Sequence, residues 1–267
     1  MRFLVPVAVI VAAATAALAE APPEVAPGGV VRWPGPGLLD CSMGREHWEP
    51  FAGACWYAID LERTGSVELI RHSTGGSATR SIAIAPYPYP EQRLEVEEKY
   101  VEPPARELER IARERRETLR ALDLRTPRRF RLPLAPPLSP LPASSRFGAR
   151  RVFNGEPRSP HSGDDFPVPR GTPVHAAAAG VVALVGQQYF AGNAVYIDHG
   201  DGLVSMSFHL SKILVHAGQT VQRGELIGLS GATGRVTGPH LHFGLRWHGA
   251  RVDPKLLFAP GEAVEIH

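Results

Sequence analysis

The sequence predicts a mainly β protein: a C-terminal antiparallel sandwich or open barrel, preceded by a small β-domain and a connecting helix. Three observations carry this. From residue 147 onward, short apolar segments at 174–185, 194–198, 203–209, 220–228 and 240–247 are punctuated by closely spaced glycines. Many short strands with glycine turns, and no helical period longer than a turn, point to sandwiches and barrels. Ahead of them, segments at 54–61, 67–72, 79–85 and 93–97 alternate or run apolar between glycine and proline punctuation. Between the two β regions, 102–122 is charge-rich and unbroken, with Pro103 and Pro104 suited to a first helical turn.

The chain has 267 residues, 43% of them hydrophobic, enough for one large or two modest domains. With 27 glycines and 26 prolines, it is globular with a turn-residue surplus, which excludes collagen-like and wholly disordered classes. A net charge of +2 does not make nucleic acid the default partner. The positive charge is concentrated in a connector: eight arginines lie between Arg125 and Arg158, against Glu156 alone.

Taken in order, the chain divides into four parts. Residues 1–19 pair Arg2 with an uncharged run ending Ala17-Leu18-Ala19, which reads as a Sec signal peptide. An uncleaved anchor is the alternative, though this run with Pro6 inside it falls short of the ~20 residues a span needs. No later run is long enough to span. Residues 20–101 form the small β-domain. It holds both cysteines, Cys41 and Cys55, for which export makes a disulfide the expectation, ahead of a zinc pair or two buried thiols. Residues 102–146 hold the helix and a linker. The helix carries a narrow apolar stripe of Leu108, Ile111, Ala112, Leu119 and Leu122, with Glu102/Arg106 and Glu109/Arg113 as i,i+4 pairs. The linker has prolines at 127, 133, 136, 137, 140 and 142, so it is expected to be stiff, extended, solvated and open to proteases. Residues 147–260 form the last domain.

Seven of the 11 histidines fall from His161 to His242. His161-Ser-Gly-Asp-Asp165 places imidazole, Gly163 and carboxylate on one face of an extended segment. His240-Leu-His242 also shares one strand face, while Leu241 and Phe243 turn toward a core. Two imidazoles and a carboxylate are three of the ligands a catalytic zinc takes, with a fourth position left for water. Ser207-Phe208-His209-Leu210 ends another strand and adds a further imidazole. Each piece alone is weak; together in one β-domain they favour a metal site. His175, His199, His216 and His248 read as surface or turn residues, and nothing speaks for His47, His72 and His267.

His161-x-Gly163-x-Asp165, Gly171-Thr172-Pro173-Val174, Ala176 with Gly180-Val181-Val182, His209-Leu210, and Gly231-x-Thr233-Gly234-Arg235-x-Thr237-Gly238-Pro239-His240-Leu241-His242-Phe243 resemble the lysostaphin/LytM-type zinc endopeptidases of bacterial cell walls. The resemblance covers roughly 147–260, in order. It implies His161, Asp165 and His242 as metal ligands for one zinc ion, with His240 and His209 as catalytic histidines beside the open position. It implies an exported, periplasmic or envelope endopeptidase that hydrolyses peptide bonds in peptidoglycan stem peptides or cross-bridges. Peptidoglycan is then the partner, with no nucleic acid and no membrane span after signal cleavage. Two other classes fit the fold: a non-catalytic regulator that activates a cell-wall amidase, and an envelope protein with a structural zinc. Retention of all the ligand positions favours the enzyme. Ser207 stands where the family often has Tyr, so an aromatic hydroxyl is not available from that position.

Overall fold

The computed structural model describes residues 23–144, 147–259 and 263–267. The signal peptide expected over 1–19 lies outside them. No helix among the described residues is long and apolar enough to cross a membrane.

The N-terminal region builds a five-stranded sheet in the order Glu24–Val25, Gly76–Ile84, Ser66–Ser73, Leu38–Met43 and Glu46–Trp48. A smaller sheet pairs Val30–Pro34 with Ala54–Ala58 on one side and with Val264–Glu265 on the other. The expected disulfide is present: Cys41 and Cys55, both fully buried, bridge these two sheets.

The C-terminal region is the expected antiparallel array. Its seven-stranded sheet runs Gly163–Phe166, Leu241–Trp247, Leu203–Leu210, Gly192–Asp198, Gly180–Gln188 and Thr220–Val221, with Ala250–Val252 also paired to Leu241–Trp247. A three-stranded sheet of Pro173–His175, Leu226–Leu229 and Lys212–Ile213 packs against it. Period-two patterning sets the faces: Leu241, Phe243, Leu245 and Trp247 are all buried in one core with Val174 and Ile227. His242 and Gly244 therefore look the other way.

Three expectations need correction. The helix is Ala105–Leu122, with the extended Pro104 as its N-cap, because a residue preceding proline is driven out of the helical region and Pro103 cannot start the turn. Its expected apolar stripe does not form a seam: Leu108 and Leu119 are exposed. Of the stripe, Leu122 packs against the buried cluster of Ala194, Tyr196, Val204 and Met206, and polar contacts add to the docking. Glu114 accepts the Tyr189 amide at 2.8 Å, and the Gln188 amide donates to the Thr118 hydroxyl at 3.1 Å. Arg110 pairs with Glu114 at 2.7 Å and Glu107 at 3.6 Å in place of the two pairs read from the sequence.

The second correction concerns the proline-rich linker. It has no regular structure through 144, as expected, but it is not a solvated spacer. Phe130, Leu134 and Leu138 are buried in the C-terminal core, together with Val30 and Ala58 from the N-terminal sheets. The backbone amides of Leu134 and Ala135 donate to Leu257 and Ala177, and that of His175 to Pro137. Prolines bar a strand ladder but lower the entropy cost of fixing an extended chain, so the segment lies across the domain as a strap.

The third concerns two histidines read as surface or turn residues. His199 is fully buried, its Nδ1–H donating to the Ala179 carbonyl (2.9 Å) and its Nε2 accepting from the Ser205 hydroxyl (2.8 Å). His248 sits in a turn yet stacks on Trp48 of the N-terminal sheet, ring centroids 4.2 Å apart, and contacts Asp201 at 3.4 Å. His175 is half-buried and His216 exposed.

Two tests follow from this packing. Leu134→Ala should cost about 2–5 kcal/mol in urea denaturation, as a core deletion does; a loss below about 0.5 kcal/mol, the ordinary surface value, would restore the solvated linker. Burial pushes His199 down to about 4, against an ordinary imidazole value of ~6.5. The unfolded chain therefore takes up a proton that the folded chain refuses. Stability present above about pH 6.5 should be lost as pH falls toward 4, by up to about 3 kcal/mol from this group. Denaturation midpoints at pH 7 and 5 should diverge less in His199→Gln than in the wild type; identical slopes would show that His199 is not the group responsible.

Candidate metal centre

Strand pairing assembles the site. Gly163–Phe166 runs antiparallel to Leu241–Trp247 with Asp165 directly opposite His242 and Gly163 opposite Gly244. On the other side, Phe208 is the cross-strand neighbour of His242. His161 enters just ahead of its strand, its amide bonded to the Ala149 carbonyl at 2.9 Å. Gly163 is required by space: a Cβ there would lie 2.6 Å from the Phe243 carbonyl and 2.7 Å from His242 Nε2.

The result is a tight, buried cluster of His161, Asp165 and His242, whose donor atoms lie within 4.8 Å of one another. His161 Nε2 and His242 Nδ1 are 2.9 Å apart, and Asp165 Oδ1 is 3.1 Å from the first and 2.9 Å from the second. Burial pushes His161 down to about 4, so its ring is neutral near pH 7. Burial opposes ionisation of Asp165, but the facing rings of His161 and His242 outweigh it and hold the carboxyl well below the usual carboxylate range. Two imidazole nitrogens and one carboxylate oxygen thus crowd one buried point. That donor set fits a borderline divalent cation, and three protein ligands is the count found in catalytic sites. The histidines and aspartate singled out in the sequence are therefore those that the fold brings together.

His209 and His240 stand beside the cluster, their ring centroids 4.8 Å apart, with His240 Nε2 3.6 Å from Asp165 Oδ1. Each ring is oriented by the backbone. His209 Nδ1–H donates to the Thr233 carbonyl (2.8 Å) and His240 Nδ1–H to the Gly238 carbonyl (2.9 Å). A carbonyl can only accept, so the tautomer is set and Nε2 of each ring carries the lone pair. Burial lowers both, His209 to about 3, which keeps them neutral.

His209 also has φ = 63°, the left-handed region that a residue with a Cβ rarely visits. In a regular strand Phe208 and His209 would face opposite sides. The left-handed step brings both rings against His242, Phe208 stacked nearly parallel at 5.1 Å and His209 at 6.0 Å. Ser207 is buried and pairs with Phe243.

The sequence assigned no role to three further side chains. One is Phe208. Another is Arg151, whose Nη2 donates to Asp165 Oδ2 at 2.8 Å, so that one carboxylate oxygen is tied while Oδ1 faces the imidazoles. The third is Arg235, which lines the same cleft of about 340 Å³ as Asp165, His209 and His240. In the sequence Arg151 is one of eight arginines in the connector run, and only strand pairing aims it. An outer partner of a ligating carboxylate should tune metal retention. Arg151→Met should weaken metal binding about 10- to 100-fold in competition with a chelator; unchanged retention would make Arg151 a bystander.

Residues 159–254 match the model described as Peptidase family M23. A Pseudomonas aeruginosa protein of known structure, assigned to peptidase M23, is similar over 87% of this chain and 94% of its own length. Its identity is 34% and its TM-score 0.65. Peptidoglycan DD-endopeptidase ShyA of Vibrio cholerae is 50% identical over 111 residues, covering 41% of this chain and 26% of that protein. DD-carboxypeptidase/endopeptidase Mpg of Neisseria meningitidis is 44% identical over 100 residues, covering 38% and 23%. The chain thus spans about a quarter of the length of these curated relatives. With a solved relative at this identity aligned over nearly its whole length and on the same fold, the chain belongs to peptidase family M23.

Proposed function

We propose that this chain is a zinc-dependent endopeptidase that hydrolyses peptide bonds in peptidoglycan. The observation that carries the reading is the buried His161–Asp165–His242 cluster with two backbone-oriented, neutral histidines beside it in one open cleft. Names of relatives, a peptidoglycan DD-endopeptidase and a DD-carboxypeptidase/endopeptidase, support the substrate. The buried disulfide fits an oxidising compartment, in keeping with an exported, envelope location.

His161, Asp165 and His242 would hold the ion, and Arg151 would fix the carboxylate that serves it. When bound, such an ion supplies Lewis-acid polarisation and a water reactive at neutral pH. The chain's own contribution is proton handling. Nε2 of His240 or His209 takes the proton released by the attacking water, since each ring presents its lone pair there. Once protonated, that same Nε2–H is a donor and can stabilise the developing oxyanion or pass the proton to the leaving amine. Neither ring can donate from Nε2 before that step, because its neutral-state hydrogen is committed to a backbone carbonyl.

Ligand and proton carrier fail differently when removed. His161→Ala, Asp165→Ala and His242→Ala should lose zinc and sacculus digestion together. His240→Ala and His209→Ala should retain near-stoichiometric zinc while turnover falls by roughly two to four orders of magnitude. Elemental analysis beside digestion of purified sacculi decides it, and a chelator should abolish digestion by the wild type. No digestion by zinc-loaded wild type, with stimulation of a partner amidase, would replace the enzyme by the regulator.

A further inference from the structure

Within the cleft, charge is out of balance at one position. Asp165 is the one carboxylate among the described residues lining it, and its Oδ2 is already held by Arg151. The second guanidinium, Arg235, has no carboxylate partner among the described residues; its guanidinium carbon lies 4.7 Å from the Phe153 ring centroid and 5.0 Å from that of Phe190. Burial and the neighbouring Arg151 and Arg158 charges depress it to about 10, which leaves it cationic at pH 7.

Arg235 is also rigidly seated. Its amide donates to the Phe190 carbonyl at 2.9 Å, and the Thr233 hydroxyl joins its loop to the Asn193 amide and the Leu210 carbonyl, both at 2.9 Å. The two loops are pressed so closely that a Cβ on Gly234 would lie 2.4 Å from the Gly192 amide nitrogen. A fixed, planar, uncompensated guanidinium between two aromatic faces, in the cleft that holds His209 and His240, is a carboxylate receptor.

We propose that Arg235 is a specificity residue that binds a free carboxylate of the substrate, selecting stem peptides over uncharged bridges. The proposal deepens the endopeptidase reading and rests on it for the identity of the cleft. Stem peptides carry free carboxylates on their glutamate and diaminopimelate residues, whereas glycine bridges carry none along their length.

The test compares three cross-linked stem-peptide dimers: fully free, amidated on diaminopimelate, and amidated on glutamate. One amidation should lower wild-type kcat/KM about ten- to hundredfold, which also identifies the carboxylate read. Arg235→Met, which keeps an unbranched side chain between the two rings, should bring the free-to-amidated ratio to about one; Arg235→Lys should restore part of the preference. Equal rates on all three dimers, or equal losses on all three in Arg235→Met, would overturn the proposal. Calorimetric titration of the same dimers into zinc-loaded His240→Ala, with and without Arg235→Met, reads the site without turnover. A free-acid preference that depends on Arg235, without cleavage by the wild type, would support the receptor while sinking the endopeptidase. Equal affinities would sink the receptor even if cleavage occurs.

Discussion

The pairing of Gly163–Phe166 with Leu241–Trp247 is the constraint on which the rest depends. Because side chains alternate along a strand, the register that buries Leu241, Phe243, Leu245 and Trp247 also turns His242 to the opposite face, beside Asp165. A one-residue slip would bury the imidazoles and expose the core. Hydrophobic burial, the largest favourable contribution to folding, thereby holds in place a cluster of polar groups that would be costly to assemble alone. Gly163 belongs to the same constraint, since any side chain there would meet the His242 ring and the Phe243 carbonyl.

Around that pair, the backbone sets the chemistry of the neighbouring histidines. Carbonyls at Thr233 and Gly238 accept from Nδ1 of His209 and His240 and so present Nε2 as the basic atom of each. The left-handed backbone at His209 is the strained feature, and it lets two successive residues face one site. Burial depresses these rings and His161 alike, keeping neutral nitrogens where a cation and a proton would be received.

Residues outside the family-matched stretch 159–254 help to shape this site. Arg151 and Phe153 come from Arg150–Phe153, a strand paired in parallel with Glu91–Leu94 of the N-terminal half. Leu94 and Val96 join the cleft wall. The proline-rich strap places Phe130, Leu134 and Leu138 in a core shared with Val30 and Ala58. The stack of Trp48 on His248 ties the two regions at another point. The N-terminal region is thus continuous with the fold that carries the site.

What the sequence by itself determined is whatever short-range periodicity and residue chemistry encode. The alternation at 240–247, the common face of His161, Gly163 and Asp165, the glycine-punctuated strands and the pairing of Cys41 with Cys55 are of this kind. Facing was legible because a strand's period of two fixes it without knowledge of the partner, and the disulfide because an exported chain with two cysteines can pair them only with each other. Tertiary structure alone decided the rest. A proline-rich stretch reads the same whether solvated or strapped to a core, and Leu108 and Leu119 read as a buried stripe until the sheet meets the helix through Thr118 and Glu114. Arg151 acquires its role only from a carboxylate 14 positions away, and His199 its burial only from contacts with Ala179 and Ser205. These outcomes depend on which surfaces meet, and that is settled by long-range strand register and shared burial, for which no local pattern exists.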